Sequence, residues 1–341
     1  MRVTKAIRDY VEKRVYDEYD KAKRELRKDY EERVEKAKES IEKIQAIIDE
    51  YGYQPNPIAR QLKTKKDFVI GVLLPDLGTE QSYWKSVFEG MKKAAEEFKL
   101  FSIKIKLTEY KRHSSKAFVE KAKELSKEKI NALITAPIVA PEIFEILPLF
   151  SNVPYVFVDS PLDHDKQLTT VAQDPYQGGY CAGRIMDLLV PNAKKIITVQ
   201  MYDKAPNLRE RSRGFAEYFN NPKVVKNITY TAKEYGTQKK FIEAILKAKP
   251  DGIFVTNEGS SEIADYCKAK KITKSFALIG YDLMEKNVKS LKEGNIDCLI
   301  SQSPQDQGYL AVKKLYQHCL INEKIEREIF IPINIFFKEN I

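Results

Sequence analysis

The chain has 341 residues, with 58 lysines and arginines against 49 acidic residues and an isoelectric point near 9.0. This length predicts two or three lobes with sizeable cores, and the mild basic excess suits an anionic partner without requiring one. Between Met1 and Glu50 there is no apolar run typical of a signal peptide or a membrane span, so we expect a soluble, cytoplasmic protein without a membrane partner.

Motifs of metal, redox and hydrolytic chemistry are missing from the sequence. The four cysteines are far apart, and there is no C-x-x-C, H-E-x-x-H or G-x-S-x-G string. Gly178 and Gly179 do not form a G-x-G-x-x-G string after a strand, which disfavours a nucleotide. We therefore expect buried free thiols, no metal, no cofactor and no enzymatic activity.

Residues 1–51 form the first predicted element, either one long helix or two stacked helices, because no glycine or proline occurs before Gly52. Apolar residues recur at a mean step of about 3.7 residues, which predicts one straight or weakly right-handed face rather than a left-handed heptad zipper. That face comprises Ile7, Val11, Val15, Tyr19, Ala22, Leu26, Tyr30, Val34, Ala37, Ile41, Ile44 and Ile48. Basic and acidic residues are equal in number between Met1 and Glu50, so self-association is favoured and binding of DNA phosphates is the alternative.

A helix break and a short basic helix are predicted for residues 52–66. Gly52 can end the first helix, Pro57 can begin the next, and Leu62 lies among basic residues that suit a DNA groove. This string, Y-G-Y-Q-P-N-P-I-A-R-Q-L-K, resembles the hinge helix of the LacI/GalR transcription regulators. The resemblance implies paired hinge helices in the minor groove of operator DNA, contacted through Ala59, Arg60, Leu62 and Lys63. The alternative is a basic interdomain linker.

The segment before this hinge departs from the LacI/GalR pattern. Members of that family begin with a helix-turn-helix whose recognition helix usually reads V-S-x-x-T-V-S-R-V-L, and no such string is present. Only Lys38 to Tyr53 resembles the family's third helix. The headpiece in residues 1–51 is therefore either diverged or replaced by a dimerising helix.

After Lys66, short β-branched runs alternate with helical stretches, which predicts parallel α/β sheets covered on both faces. The predicted strands are Phe68 to Pro75, Phe101 to Leu107, Ala132 to Ala136, Tyr155 to Asp159, Lys195 to Gln200, Gly252 to Thr256, Ala277 to Tyr281 and Cys298 to Gln302. Ligands of such sheets bind beyond the carboxyl ends of the strands, so the residues that follow each run are candidates for a site.

Those residues form an ordered series of motifs, including V-A-Q-D-P-Y-Q-G-G-Y-C-A-G, R-E-R-S-R-G-F, V-T-N-E, I-G-Y-D and I-S-Q-S-P-Q-D-Q-G. From Phe68 to Ile341 the series resembles the LacI/GalR effector core and the related periplasmic sugar-binding proteins. The resemblance implies an α/β fold with two Rossmann-like lobes and three crossovers, near Pro161, Ser301 and Glu323. The implied lobes are 67–161 plus 301–323, and 162–300 plus 324–341.

The same resemblance implies a small carbohydrate effector in the cleft between the lobes. Arginine, carboxylates and amides can pair with sugar hydroxyls, while aromatic rings pack on the apolar face of the sugar. The predicted effector-binding residues are Asp76, Gln81, Tyr83, Trp84, Asp159, Asp174, Arg211, Asn257, Asp282 and Gln302. Helix or turn capping is the alternative for Asp174 and Asp159, ordinary core packing is the alternative for Trp84, and a glycosidase pair is the alternative for the carboxylates.

These features predict a sugar-responsive regulator that forms a homodimer or a tetramer, in which cleft closure changes the spacing of the hinge helices and the affinity for operator DNA. The alternative is a sugar-binding module that is dimerised by its N-terminal helix and does not bind DNA sequence-specifically.

Overall fold

The computed structural model describes most of the chain. The described residues are 2–51, 66–78, 82–112, 114–138, 142–162, 164, 166–201 and 205–341, with side chains in the first range given for 10, 11 and 13–50. The chain divides into two compact units, residues 1–60 and 61–341. The predicted hinge helix, with Ala59, Arg60, Leu62 and Lys63, lies outside the described residues.

Helix α1 (Arg2–Tyr51) is one continuous element rather than two stacked helices. At about 1.5 Å per residue it is about 75 Å long. Large apolar side chains along it are exposed, including Tyr19 at 63%, Leu26 at 75% and Ile41 at 65%. Ion pairs one turn apart, such as Arg27–Glu31 at 3.0 Å, surround them. No turn interrupts residues 2–51, so this stretch does not contain a helix-turn-helix.

The first lobe of the second unit is built on a six-stranded parallel sheet. Its strands are β1 (Phe68–Pro75), β2 (Ile103–Tyr110), β3 (Ala132–Thr135), β4 (Tyr155–Val158), β5 (Thr169–Ala172) and β11 (Glu328–Phe330), in the spatial order β11-β5-β4-β3-β1-β2. Its helices are α2 (Tyr83–Glu97), α3 (Ser115–Leu125), α4 (Glu142–Ile146) and α11 (Pro304–Ile321), with short 3-10 helices at Lys99–Phe101 and Leu147–Phe150. Successive side chains of β1 enter cores on opposite faces, Val72 on one and Leu73 on the other, which explains its unbroken apolar sequence.

The second lobe repeats this plan. Its strands are β6 (Ile196–Gln200), β7 (Val225–Thr229), β8 (Gly252–Val255), β9 (Ala277–Tyr281), β10 (Cys298–Ser301) and β12 (Asn334–Phe336), in the order β12-β10-β9-β8-β6-β7. All neighbours are parallel except β12, which is antiparallel to β10. Its helices are α5 (Pro175–Leu189), α6 (Pro206–Phe219), α7 (Ala232–Tyr235), α8 (Gln238–Lys247), α9 (Ser260–Ala269) and α10 (Glu285–Lys292). The predicted two-lobed α/β fold is confirmed.

Two of the three predicted crossovers are wrong. The chain does not leave the first lobe near Pro161, because β5 still pairs with β4, and it crosses only at residues 173–174. It also does not cross near Glu323, because β11 pairs with β5, and the third crossing falls at residues 331–333. The second crossing, at residues 302–303, adjoins Ser301 as predicted. The lobes are therefore 66–172 plus 304–330, and 175–301 plus 334–341.

Close contact between helix backbones fixes the position of α6 in the second lobe. A Cβ atom at Gly179 of α5 would lie 2.0 Å from the carbonyl oxygen of Arg211, and a Cβ atom at Gly214 would lie 2.0 Å from the carbonyl oxygen of Tyr176. Only glycine permits this approach. The glycine-rich string thus sets where Arg211 lies.

All four cysteines carry free thiols. Cys267 and Cys298 are buried, as predicted, whereas Cys181 and Cys319 are only half-buried. In the part of the chain that the structure describes, no helix is both long and apolar enough to cross a membrane.

Candidate functional site: a closed cleft between the lobes

A cleft opens where the carboxyl ends of the strands of both lobes face each other. The space between its side chains is about 400 Å³, including the part that opens to solvent. Seven of the predicted effector-binding residues line it: Tyr83, Trp84, Asp159, Arg211, Asn257, Asp282 and Gln302. Their contact with an effector stays a prediction, but the fold brings them together.

Two predicted residues are not in this cleft, and a third lies outside the described residues. Asp76 is exposed just after β1, where its backbone N–H donates to Tyr110 at 2.8 Å. Asp174 caps helix α5, because its carboxylate accepts from the Gln177 N–H at 3.0 Å. Neither aspartate lines the cleft, and the contacts of Asp174 are those of its capping alternative. Gln81 falls in the undescribed residues 79–81.

The cleft also contains residues that were not predicted from the sequence: Arg112, Ile138, Ala205, Asn207, Leu208 and Glu258. Asn207 precedes Arg211 by four positions on α6, so helical spacing places both on one face. Glu258 directly follows Asn257, and Arg112 follows β2 by two positions. Each therefore carried a positional signal that pointed to the cleft.

Asp159 and Asp282 occupy matching positions in the two lobes. Each directly follows a strand, β4 or β9, and each has a left-handed backbone, with φ of 71° and 67° respectively. Their residual exposures are 5% and 3%. Non-glycine residues pay a conformational cost in this region, and such strain concentrates at functional positions. The paired geometry aims one carboxylate from each lobe at the same space.

Arg211 organises the floor of the cleft and is only 1% exposed. Its two terminal nitrogens donate to the carbonyl oxygen of Thr256 at 2.8 Å and to Oε1 of Gln302 at 2.7 Å. Its guanidinium carbon lies 3.9 Å from the centroid of the Tyr281 ring, a cation–π distance. Gln302 in turn donates to both carboxylate oxygens of Asp282, at 3.1 and 3.3 Å. The guanidinium of Arg211 and the carboxylate of Asp282 are thus connected through the side-chain amide of Gln302.

Burial changes the acid–base behaviour of both aspartates. It raises the pKa of Asp282 to about 7, although nearby Arg211 and the Gln302 hydrogen bond oppose the shift. Burial also raises the pKa of Asp159, again against Arg211. The pKa of the Tyr83 hydroxyl is raised well above its usual value by burial and by the charges of the two aspartates. A buried carboxylate needs hydrogen-bond donors, and sugar hydroxyls are suitable ones.

Tyr83 and Trp84 form the aromatic wall of the cleft. They occupy the first turn of α2, which is capped by Ser82, whose hydroxyl accepts from the Lys85 N–H at 3.2 Å. The two rings meet edge to face, with centroids 5.0 Å apart and an interplanar angle of 89°. Such a pair offers a rigid apolar surface with polar edges.

Two direct contacts join the lobes across the cleft. Nδ2 of Asn207 donates to the Asp159 carboxylate at 3.2 Å, and a nitrogen of Arg112 lies 2.7 Å from the Glu258 carboxylate. In each pair one residue comes from each lobe. The structure is therefore a closed form of the cleft.

Several buried polar atoms around this space have no hydrogen-bond partner. They are Nε1 of Trp84, Oδ1 of Asn207, Nε of Arg211, and both Oδ1 and Nδ2 of Asn257. Buried donors and acceptors are nearly always paired in folded proteins, so such a cluster indicates the place of a polar ligand. The set mixes N–H donors with amide oxygens, and a hydroxyl group can satisfy both.

Comparison with known proteins points in the same direction. The sequence profile described as a periplasmic binding protein domain matches residues 70–324. A xylose/arabinose-binding protein of Sulfolobus acidocaldarius is 21% identical over 201 residues, which cover 55% of this chain and 48% of that protein. A ribose operon repressor of Lactococcus lactis is 24% identical over 313 residues, 89% of either chain. The crystal structure of a candidate LacI transcriptional regulator of Bacteroides fragilis matches with a TM-score of 0.76 at 25% identity, and covers 81% of this chain and 98% of that one.

The match to the xylose/arabinose-binding protein covers about half of that protein's length. The relatives are named either for sugar binding or for repression, so their names leave open which of the two functions the chain performs.

Proposed function

Because the chain belongs to the family of periplasmic binding protein domains, we propose that its cleft binds a small, electrically neutral carbohydrate. The observation that carries the proposal is the cluster of unpaired donors and acceptors on Trp84, Asn207, Arg211 and Asn257, which faces the cleft from both lobes. Hydroxyl groups fit this mixture, and the Tyr83–Trp84 wall fits the apolar face of a sugar ring.

The charges of the cleft favour a neutral sugar over a sugar phosphate or a uronic acid. Three carboxylates line it, on Asp159, Glu258 and Asp282, against two guanidinium groups. Arg112 is paired with Glu258 at 2.7 Å, and each terminal nitrogen of Arg211 already donates one hydrogen bond, to Thr256 or to Gln302. An anionic group would be desolvated beside carboxylates with little opposing charge.

A thermal-shift comparison tests this specificity. We expect one or more neutral pentoses or hexoses to stabilise the protein, while the matching phosphate and uronate, such as glucose 6-phosphate and glucuronate for glucose, do not. At about 100 times its Kd a sugar adds about 2.7 kcal/mol, which raises the Tm by roughly 5 °C in a protein of this size. Stronger stabilisation by the anionic partner of any pair would contradict the proposal, and so would no shift by any neutral sugar.

We propose further that the protein is a sugar-responsive regulator of the LacI/GalR type, whose paired hinge helices contact DNA. The hinge string with Leu62 and its direct connection to the cleft-bearing unit support this reading. The alternative, a sugar-binding module dimerised by α1 without sequence-specific DNA binding, is favoured by one observation: residues 2–51 are a single helix rather than a helix-turn-helix.

DNA binding separates the two readings. For the regulator we expect operator binding that weakens with salt, responds to the sugar and is lost in Leu62→Ala, because the leucine wedge is then missing. Fluorescence anisotropy against a library of duplexes measures this. Absence of duplex binding at low salt would remove the regulator and leave the alternative.

Both readings require a second copy of the chain, and we propose that α1 is the interface between the copies. We expect a dimer by sedimentation velocity, and a monomer when Leu26 and Ile41 are both replaced by aspartate, because the two lie on the exposed apolar face. Lys28→Asp, on the polar side of the helix, is the matched control and leaves the dimer intact. A dimer that survives the double substitution would show that α1 is not the interface.

A further inference from the structure

One buried glutamine connects all three crossings between the lobes. Gln173 lies in the first crossing and is 1% exposed. Its Nε2 donates to the carbonyl oxygen of Ser301, beside the second crossing, at 2.9 Å, and to that of Pro332, in the third, at 3.3 Å. A side-chain amide has two N–H donors, so both are engaged by backbone of the other two crossings.

The same side chain reaches toward the floor of the cleft. Its Oε1 accepts a hydrogen bond from the Tyr281 hydroxyl at 3.2 Å, and the Tyr281 ring lies under the Arg211 guanidinium. Gly178 makes this contact possible, because a Cβ atom there would lie 2.1 Å from the Tyr281 hydroxyl. Arg211, Tyr281 and Gln173 are therefore consecutive contacts from the cleft to the crossings.

A second buried glutamine makes a comparable connection from the first lobe. Gln307, on α11, accepts from the Asp159 N–H at 2.9 Å and donates to the carbonyl oxygen of Gln302, in the second crossing, at 2.8 Å. Both cleft aspartates are thus connected to the second crossing by hydrogen bonds. Asp159 is connected through Gln307, and Asp282 is bonded to Gln302 of the crossing directly.

We propose that Gln173 is a positioning residue that holds the crossings in the closed arrangement, so that it sets the balance between open and closed cleft before any ligand binds. Hinge opening rotates the backbone of crossing segments, which moves the Ser301 and Pro332 carbonyls relative to Gln173. One short amide cannot follow both carbonyls, so the open form loses hydrogen bonds that the closed form makes. This inference concerns the ligand-free protein and goes beyond the proposed carbohydrate specificity.

Trp84 provides a direct measurement, because it is the only tryptophan of the sequence, lines the cleft and is 3% exposed in the closed form. Acrylamide quenching of its fluorescence reports how often the ligand-free cleft is open. In Gln173→Leu we expect the open-to-closed ratio to rise about fivefold or more, the effect of losing one or two hydrogen bonds, with a matching rise in quenching. The full-length chain is used without sugar, so the result does not depend on which ligand binds.

Gln167→Leu is the matched control. Gln167 is a buried glutamine whose hydrogen bonds, to Thr170 and His164, stay within the first lobe. Its replacement is expected to lower the Tm without raising the quenching of Trp84. Equal quenching in the Gln173 and Gln167 variants would overturn the proposal, because loss of a buried amide alone would then explain the result.

Gln173→Glu separates positioning from general stability and serves if the leucine variant does not fold. The introduced carboxylate faces the Ser301 and Pro332 carbonyls at neutral pH and repels them, whereas its protonated form donates one hydrogen bond again. We expect quenching above wild type at pH 8 that returns toward the wild-type value by pH 5. Quenching equal to that of wild type at every pH would overturn the proposal. Quenching that stays above wild type at pH 5 would also overturn it.

Discussion

Replacement of Arg211 by methionine is expected to abolish carbohydrate binding and to lower the free energy of unfolding by about 3–5 kcal/mol, the usual cost of breaking a buried, hydrogen-bonded charge network. The substitution removes the donors to Thr256 and Gln302 and the cation above the Tyr281 ring. It also leaves Asp282 buried without its nearby positive charge. Urea denaturation measures the stability, and titration calorimetry measures the affinity for the sugar that gives the largest thermal shift.

Arg213, two positions along α6, provides the control. Its side chain is 51% exposed and forms ion pairs with Glu210 and Glu217 on the same helix. Arg213→Met is expected to bind and unfold much as wild type does, since exposed ion pairs contribute little. Arg211→Lys keeps the charge but loses the planar fork, so it should bind weakly. If Arg211→Met kept the affinity within about tenfold, the cleft would not be organised as we describe.

The residues that could be predicted are those whose place depends on a single strand end. Asn257 follows β8 and Asp282 follows β9, and in a parallel α/β sheet such positions face the ligand edge. That rule does not specify the direction of a side chain. This explains why Asp76, which is exposed after β1, does not line the cleft as predicted. At Asp174 a competing local interaction, the helix cap, determined the outcome.

The features that escaped prediction depend on how the lobes meet. The Asn207–Asp159 and Arg112–Glu258 contacts join segments far apart in the chain, and no local pattern encodes such pairs. The crossings were misplaced because β5 and β11 were not among the predicted strands, so the chain was expected to leave the first lobe before each of them. The role of Gln173 follows from the positions of all three crossings, so it could not be recognised before they were known.

Replacement of Asp282 by asparagine is expected to stabilise the ligand-free protein at pH 8. The pKa of Asp282 is raised to about 7 by burial, whereas an unfolded chain has a value near 3.9. Between these values the native state binds a proton that the unfolded state does not, so stability falls as the pH rises from about 4 to about 7. The cost of the buried charge is then about 4 kcal/mol above pH 7. Asparagine removes this cost.

Urea denaturation of wild type and Asp282→Asn at several pH values measures the difference, which should be large at pH 8 and vanish near pH 4. Asp251 is a control of opposite sign, because hydrogen bonds from the backbone of Lys194 and Lys195 lower the pKa of its carboxyl. Asp251→Asn should therefore destabilise the protein at pH 8. A parallel loss of stability in both variants would show that Asp282 is not a destabilising charge in the folded protein.

The same carboxyl links sugar binding to pH, and in the opposite direction from stability. A sugar hydroxyl that donates to Asp282 favours the ionised form, so binding lowers its pKa and releases a proton. Affinity should therefore rise as the pH increases from 5 to 8, by up to about tenfold per pH unit below the pKa of the free protein. In Asp282→Asn the affinity should be weaker, and the part of its pH dependence that Asp282 causes should disappear. Affinity that falls with rising pH in wild type would mean that the sugar binds the protonated acid, and that the cleft holds this carboxyl as a donor.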